Sequence, residues 1–344
     1  MDRTIAELQV TDMREAVRAS GLLGEGPVLV MLSGGRDSVC LLDVILSLRG
    51  APAVSALHVN YGLRPQAGED QRHCQALCEG LGVKLHVVRA PTHEQGPGNL
   101  QAWAREVRYE AAQTLAQPLG EDARIATGHT ATDQVETILY RLAASPGRRA
   151  LLGMSAREGR VIRPLLSITR EQSTAYCQAR HLAWSEDATN VSDLYARGRV
   201  RQGLVPALRS IHPAAEANVL RTAELLREET ELLDGLVDTE LAGQANISIE
   251  RLAELPAALA RLIVVRLAED AAGTFVPQAG GRVADILALD RRGARAELHV
   301  GGLISAVVQS GRLSMVRIPA HYPSPKRAAE DPPEGARDRA AGDH

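Results

Sequence analysis

Aromatic residues are scarce, only 3% of the 344-residue chain, with one Phe, two Trp and six Tyr. Four cysteines, Cys40, Cys74, Cys78 and Cys177, form neither a paired secreted framework nor a C-x-x-C motif. Cys74 and Cys78 lie four apart in a helical pattern, which reads as two small buried residues rather than two metal ligands. No uncharged apolar run approaches the length of a membrane span. Met1-Asp2-Arg3-Thr4 begins an amphipathic segment rather than a basic-then-apolar leader, so a cytoplasmic location is expected. Lysine occurs only at Lys84 and Lys326, and the positive charge is otherwise arginine. The net charge of −3 excludes a globally basic protein, yet Arg141 to Arg221 holds 13 arginines against 6 acids, an excess of +7. Such a segment can follow a phosphate backbone, and a chain-wide bias toward arginine would produce the same count.

What is present is a run of short apolar segments alternating with longer helical patterns. Strands are expected at Val28–Leu32, Ala53–Val59, Lys84–Arg89 and Arg124–Thr127, with helices at Ile5–Ser20, Asp37–Arg49, Gly68–Leu81, Asn99–Leu115 and Thr132–Ala143. Strands separated by helices imply right-handed crossovers and a doubly wound parallel α/β sheet, with ligands at the carboxyl ends of its strands. A loop is expected over Gly153–Arg160, a short strand over Val161–Leu166 and a helix over Glu171–Arg180. Residues 1–215 then form the larger N-terminal domain and 216–245 a helical linker. A smaller α+β domain follows at 246–320, with helices near Ile249–Ala271 and Gly280–Leu289 and strands near Leu298–Val300, Leu303–Gln309 and Leu313–Ile318. Ser310-Gly311 is a hairpin signal between the last two. Residues 321–344, rich in Pro, Ala, Gly and charge, are expected to be disordered. An apolar face on the helix Pro213–Leu241 would permit a homodimer.

Four segments carry chemistry. Ser33-Gly34-Gly35-Arg36-Asp37-Ser38 follows the first buried strand and opens a helix, which surrounds one anion with unpaired N–H groups and the positive end of a helix dipole. It lacks the Lys of the G-x-x-x-x-G-K-[ST] loop, so ordinary γ-phosphoryl transfer is not indicated. His58, Asn60 and Arg64 end the second strand, where a parallel neighbour can reach base or ribose and bring a cation to the crevice. Arg105 and Arg108 lie i, i+3 on one helix, placed to neutralise phosphate charge or to pair with Glu106 and Glu110. On a helical projection His129, Asp133 and Glu136 share one face, while Val135, Ile138, Leu139 and Leu142 share another that is expected to be core.

The first segment resembles the S-G-G-x-D-S signature of the ATP pyrophosphatases, the PP-loop proteins. In this order the four segments are similar to the tRNA(Ile)-lysidine synthetase family, over about residues 25–215. Arg163-Pro164-Leu165-Leu166, Trp184 through Asp187, Thr189-Asn190, Arg197 and Arg201 extend the match. The resemblance implies an ATP- and Mg²⁺-dependent carbon–nitrogen ligase. It adenylates C2 of the wobble cytidine of a CAU-anticodon isoleucine tRNA, releases pyrophosphate, then lets the amine of free L-lysine displace AMP, which changes codon reading from methionine to isoleucine. It implies that Ser33–Ser38, with His58, Asn60 and Arg64, bind ATP, and that Asp37 positions Mg²⁺. By the same resemblance Arg108 and Arg105 offset phosphate charge, Asp133 and Glu136 hold and deprotonate the lysine ammonium, and His129 orients the base or a phosphate. Arg163, Arg197 and Arg201 would contact tRNA, as would the small domain. The sequence departs from the family at Tyr61, Thr132, Ala144–Gly147 and Gly198, and a shorter form is expected because no third domain fits before the tail. Two other readings are a tRNA-thiolating relative and a tRNA-binding homologue without catalysis.

Overall fold

The computed structural model describes residues 3–63, 65–91, 100–144, 147–185, 196–289 and 295–319. They fall into two compact units, residues 1–228 and 229–344.

In the first unit the chain runs α1 (Arg3–Ala19), β1 (Val28–Met31), α2 (Arg36–Arg49), β2 (Val54–Asn60), α3 (Ala67–Leu81), β3 (Lys84–Arg89), α4 (Leu100–Ala116), β4 (Arg124–Ala126) and α5 (Ala131–Ala144). It continues through α6 (Arg148–Leu151), β5 (Arg157–Glu158), β6 (Val161–Ile162) and α7 (Arg170–Ala179) to α8 (Ala196–Arg199), a π-helical turn at Val200–Leu204, and α9 (Val205–Ile211). The sheet order is β3-β2-β1-β4-β6-β5, parallel throughout except for β5. This is the doubly wound architecture expected from the alternating pattern.

Side-chain alternation along β1 explains the two layers. Val28 and Val30 pack with Met13 and Val17 of α1, with Leu41, Leu42 and Ile45 of α2, and with Tyr176 and Cys177 of α7. Leu29 and Met31 face the opposite layer, with Leu57, Ile125 and Ala112 and Ala116 of α4. Such a strand is buried on both sides, which is why Val28-Leu29-Val30-Met31 reads as a continuous apolar run. Cys74 and Cys78 lie in the first of these cores. The strand order reverses beside β1, so β1 and β4 diverge into the loops Leu32–Gly35 and Thr127–Thr130 over a single crevice.

Two local expectations are corrected. The segment Val161–Leu166 is extended only over Val161–Ile162, because Pro164 supplies no ladder N–H; the preceding loop instead contributes β5, paired antiparallel to β6. Leu142, expected in the core, is 58% exposed because α5 is covered only over its first two turns.

The boundary between the units falls inside α10 (Ala215–Leu241). The second unit contains β7 (Asn246–Ser248), α11 (Ile249–Glu254), α12 (Ala257–Ala272), α13 (Val283–Leu287), β8 (Ala296–Gly301), β9 (Ile304–Gln309) and β10 (Arg312–Arg317). Its antiparallel sheet has the order β7-β10-β9-β8. The β9–β10 hairpin turns through Ser310 and Gly311, both at positive φ, as the tight turn demands. Strand β7 is too short for a period-2 signal and was not anticipated. Residues 321–344 lie outside the described residues.

Candidate active site

Gly34 takes φ +87°, and a Cβ there would approach Cys74 Sγ to 3.2 Å, so the loop after β1 both turns and packs where only glycine fits. Ser33 and Ser38 brace it: Ser33 N–H donates to Ser38 Oγ (3.2 Å), and Ser38 Oγ donates to the Gly35 carbonyl (2.8 Å). Gly35 caps α2 without a side-chain acceptor, and with the Ser38 amide turned onto the Gly35 carbonyl (3.1 Å) the Arg36 and Asp37 amides are the ones that can receive an anion. Ser185 N–H donates to the Gly34 carbonyl (2.9 Å), while its hydroxyl reaches Asp70 (3.0 Å), strapping the loop to α3. Gly128 brings the loop after β4 against this turn, since a Cβ there would meet the Asp37 backbone at 3.1 Å.

Three carboxylates converge on this crevice. Asp37, in the first turn of α2, accepts from Arg36 Nε (3.2 Å) and, at a short distance, from the Ser173 hydroxyl, with Arg170 Nε 3.6 Å from its other oxygen. Asp133 Oδ2 accepts from the Thr130 amide and hydroxyl (both 2.9 Å), which places it at the head of α5. Its Oδ1 is shared by Arg170 Nη2 (3.3 Å) and Arg201 Nη2 (3.4 Å). Glu136, 2% exposed, is gripped by Arg201 through Nε (2.6 Å) and Nη2 (2.9 Å). This bidentate pair holds the Arg201 guanidinium firmly charged.

The remaining anticipated residues divide. Arg105 and Arg108 lie over the Tyr109 ring at 4.4 and 5.9 Å, and both depress the pKa of His129. Arg108 Nε is buried without a partner among the described residues. His129 sits in the turn before α5 rather than on its helical face, because the helix starts at Ala131. Thr127 Oγ1 lies 2.8 Å from its Nδ1. Burial pushes its pKa down to about 4, Asp133 opposes that, and the neighbouring arginines reinforce it, so the ring is neutral at neutral pH.

Several expected contacts are not available as drawn from the sequence. His58 is 5% exposed with Nδ1 against the Leu32 carbonyl (3.0 Å) and Cys74 Sγ (3.4 Å), so it ties β1, β2 and α3 together instead of facing a nucleotide. Asn60 donates to Gln71 Oε1 (2.9 Å) and accepts from Gly62 N–H (2.9 Å), shaping the turn beside a cavity of about 330 Å³ lined also by Arg89. Arg163 is 3% exposed and bonded to the Ser155 carbonyl (2.6 Å) and Glu158 (3.1 Å), which removes it from any tRNA-facing surface. Arg201 points into the acidic cluster, not outward. Arg64 and the Arg197 side chain lie outside the described residues, as do Asp187, Thr189 and Asn190.

Arg170 and Ser173 were missed. The capping box Thr169-x-x-Gln172 marks the start of α7 and so places both residues in its first turn, but only the packing of α7 on α2 brings them to Asp37. Thr132, a departure from the family pattern, is buried and its hydroxyl accepts from the Arg170 amide (3.4 Å).

Among the described residues no group of three or more His, Cys, Asp or Glu is arranged to hold a metal, and no helix is long and apolar enough to cross a membrane. All four cysteines are buried and unpaired; burial raises Cys74 to about 12 and Cys78 to about 11, and Cys40 is pushed up by its contact with Cys177.

The sheet order, the glycine-braced turn and the crevice beside β1 define a PP-loop domain, and a family model of that description matches residues 6–208. The fold is shared with the U34-tRNA thiolase NcsA from Methanococcus maripaludis (TM-score 0.54, 18% identity, 64% of this chain and 80% of that one). A tRNA(Ile)-lysidine synthase from Gloeobacter violaceus is 35% identical over 280 residues, 77% of this chain and 84% of that protein. Those from Pseudomonas aeruginosa and Thermus thermophilus are 39% and 37% identical over 219 and 256 residues, 62% and 72% of this chain. The chain belongs to the tRNA(Ile)-lysidine synthase family, as its motifs suggested, and spans about half the length of the Pseudomonas and Thermus relatives, 48% and 50%.

Proposed function

We propose that the chain ligates L-lysine to C2 of the wobble cytidine of a CAU-anticodon isoleucine tRNA, through an adenylated cytidine, with ATP as the energy source. One observation carries this reading: the anion-receptive turn at Ser33–Ser38 and the acidic head of α5 meet in one crevice, joined by Arg170, which lies within 4 Å of both Asp37 and Asp133.

In the first half-reaction the amides at the start of α2 receive the pyrophosphate, and O2 of the cytidine displaces it from the α-phosphorus of ATP. Arg108 and Arg105 offset the charge that builds on the phosphates, the electrostatic contribution that dominates such transfers. Magnesium bound to ATP takes most of its ligands from phosphate and water, so the single carboxylate of Asp37 suits it better than a protein cage would. Held there, the metal would supply neutralisation of phosphate charge. The uncharged His129 ring can hydrogen-bond the base without competing for the phosphates.

In the second half-reaction the lysine amine attacks C2 and AMP leaves. A protonated amine is no nucleophile, and in this reading Asp133 exchanges a guanidinium on Oδ1 for the ammonium and takes its proton. Glu136 has both oxygens on Arg201, so its part is to hold that guanidinium in place. Sulfur transfer is the weaker alternative: thiols with pKa values near 11 and 12 are protonated and poor nucleophiles.

The test is incubation of the protein with Mg·ATP, labelled lysine and the CAU isoleucine tRNA transcript. Label on the tRNA together with pyrophosphate release is expected. Folded protein that binds tRNA but releases no pyrophosphate would identify a non-catalytic homologue, and label from a sulfur donor would identify a thiolase.

A further inference from the structure

Arg170 occupies a position that local energetics disfavour. It is the first residue of α7, where the helix dipole is positive and a cation is destabilising. Its Nε is buried with no hydrogen-bond partner among the described residues. Helix formation does not require it, because Thr169 and Gln172 already complete a capping box. The compensation is electrostatic: the guanidinium spans two carboxylates from different elements, Asp37 at 3.6 Å and Asp133 at 3.3 Å.

Both contacts are long for charge-assisted hydrogen bonds, which centre near 2.7–2.9 Å. Arg201, by contrast, is locked on Glu136 at 2.6 and 2.9 Å and has only a 3.4 Å contact with Asp133. The distances therefore decide which arginine is exchangeable. Arg170 can exchange its two long contacts for a phosphate, whereas Arg201 would abandon a buried carboxylate. A guanidinium one step from the anion-receptive turn has a better partner in a phosphate, which it can meet bidentately. Movement toward that phosphate would leave Oδ1 of Asp133 with only its 3.4 Å contact to Arg201, while Oδ2 stays satisfied by Thr130.

We propose that Arg170 is a positioning residue shared by the nucleotide and amine sites: phosphate draws its guanidinium off Asp37 and Asp133, and Asp133 then accepts the lysine ammonium. Nucleotide and lysine thus bind with positive coupling, and lysine binds more weakly while the nucleotide site is empty. This rests on the function proposed above.

The experiment is calorimetric titration of L-lysine into the full chain, alone and saturated with Mg²⁺ and α,β-methylene-ATP, for the wild type and for Arg170→Gln. Wild-type affinity for lysine should rise by about fivefold or more with the analogue, the lower range of ordinary coupling, and lysine should tighten the analogue by the same factor. Arg170→Gln should bind the analogue more weakly, yet bind free lysine more tightly than the wild type does without nucleotide, two opposite changes that a damaged fold does not give. Equal wild-type lysine affinity with and without the analogue overturns the proposal whether or not the variant folds. So does coupling that survives in Arg170→Gln. If both ligands bind without coupling, only this inference falls; if the analogue does not bind at all, the proposed function falls with it.

Discussion

The two units of the chain bury different things. The first encloses Asp43, His58, Glu136 and Arg163, each 5% exposed or less, along with a set of buried hydroxyls. In the second, the only buried polar side chain among the described residues is Ser305; its core is Ile263, Val264, Leu267, Ile304 and Leu313 with their apolar neighbours. Its ion pairs, such as Arg251–Glu240 and Arg266–Asp238, lie at the surface. Burying charge costs stability unless each group is paired, and the first unit accepts that cost around one crevice and behind it, where Asp43 receives Tyr176 and Arg180. The second unit is stabilised by ordinary apolar packing. The contrast picks out the proposed site from burial alone, without reference to any motif.

The largest effect is expected at Asp37. Asp37→Ala should reduce tRNA-dependent pyrophosphate release by about a hundredfold or more, the scale of losing one preorganised electrostatic group. Native circular dichroism with retained activity would break the assignment. Next comes Glu136→Gln, which leaves Arg201 with half its partner in a buried setting. Breaking such a pair costs about 3–5 kcal/mol, read as a lower denaturant midpoint. A shift no larger than that of a surface variant would show that the crevice is more hydrated than its geometry implies.

His129 sharpens the comparison through pH. Its ordinary value of 6.5 falls to about 4 in the folded chain, so between those values the unfolded state binds the extra proton. The stability due to its neutral ring is complete above about pH 6.5 and is lost as the pH falls toward 4. His129→Gln should flatten that part of the stability profile, and an unchanged slope would refute the shift. The smallest effect is expected in the second unit: Glu240→Gln removes a half-buried partner of the exposed Arg251 and should shift the denaturation midpoint by no more than a surface ion pair does.

Much of the fold was legible because it is local. The inner strands β1, β2 and β4 are mostly apolar, and the longer helices have a 3.6-residue period. The positions that failed were decided by neighbours. Val161–Leu166 is apolar enough for a long strand, yet Pro164 and the pairing with β5 limit it to two residues. His58 lies in a motif at a strand end, but its ring turns inward to Leu32 because α3 covers it. Arg163 and Arg201 count toward a basic stretch in the sequence, while in space both are consumed by carboxylates of their own chain.

By itself the sequence determined the alternation of elements, the glycine-dependent turn at Ser33–Ser38 and the family, since these rest on backbone freedom and periodicity along a few consecutive residues. Only the tertiary structure decided which charges meet. Arg170 and Asp37 are 133 positions apart, and Arg201 and Glu136 are 65 apart. Coulomb and hydrogen-bond energies depend on separation in space and on exclusion of water, neither of which exists until the helices have packed.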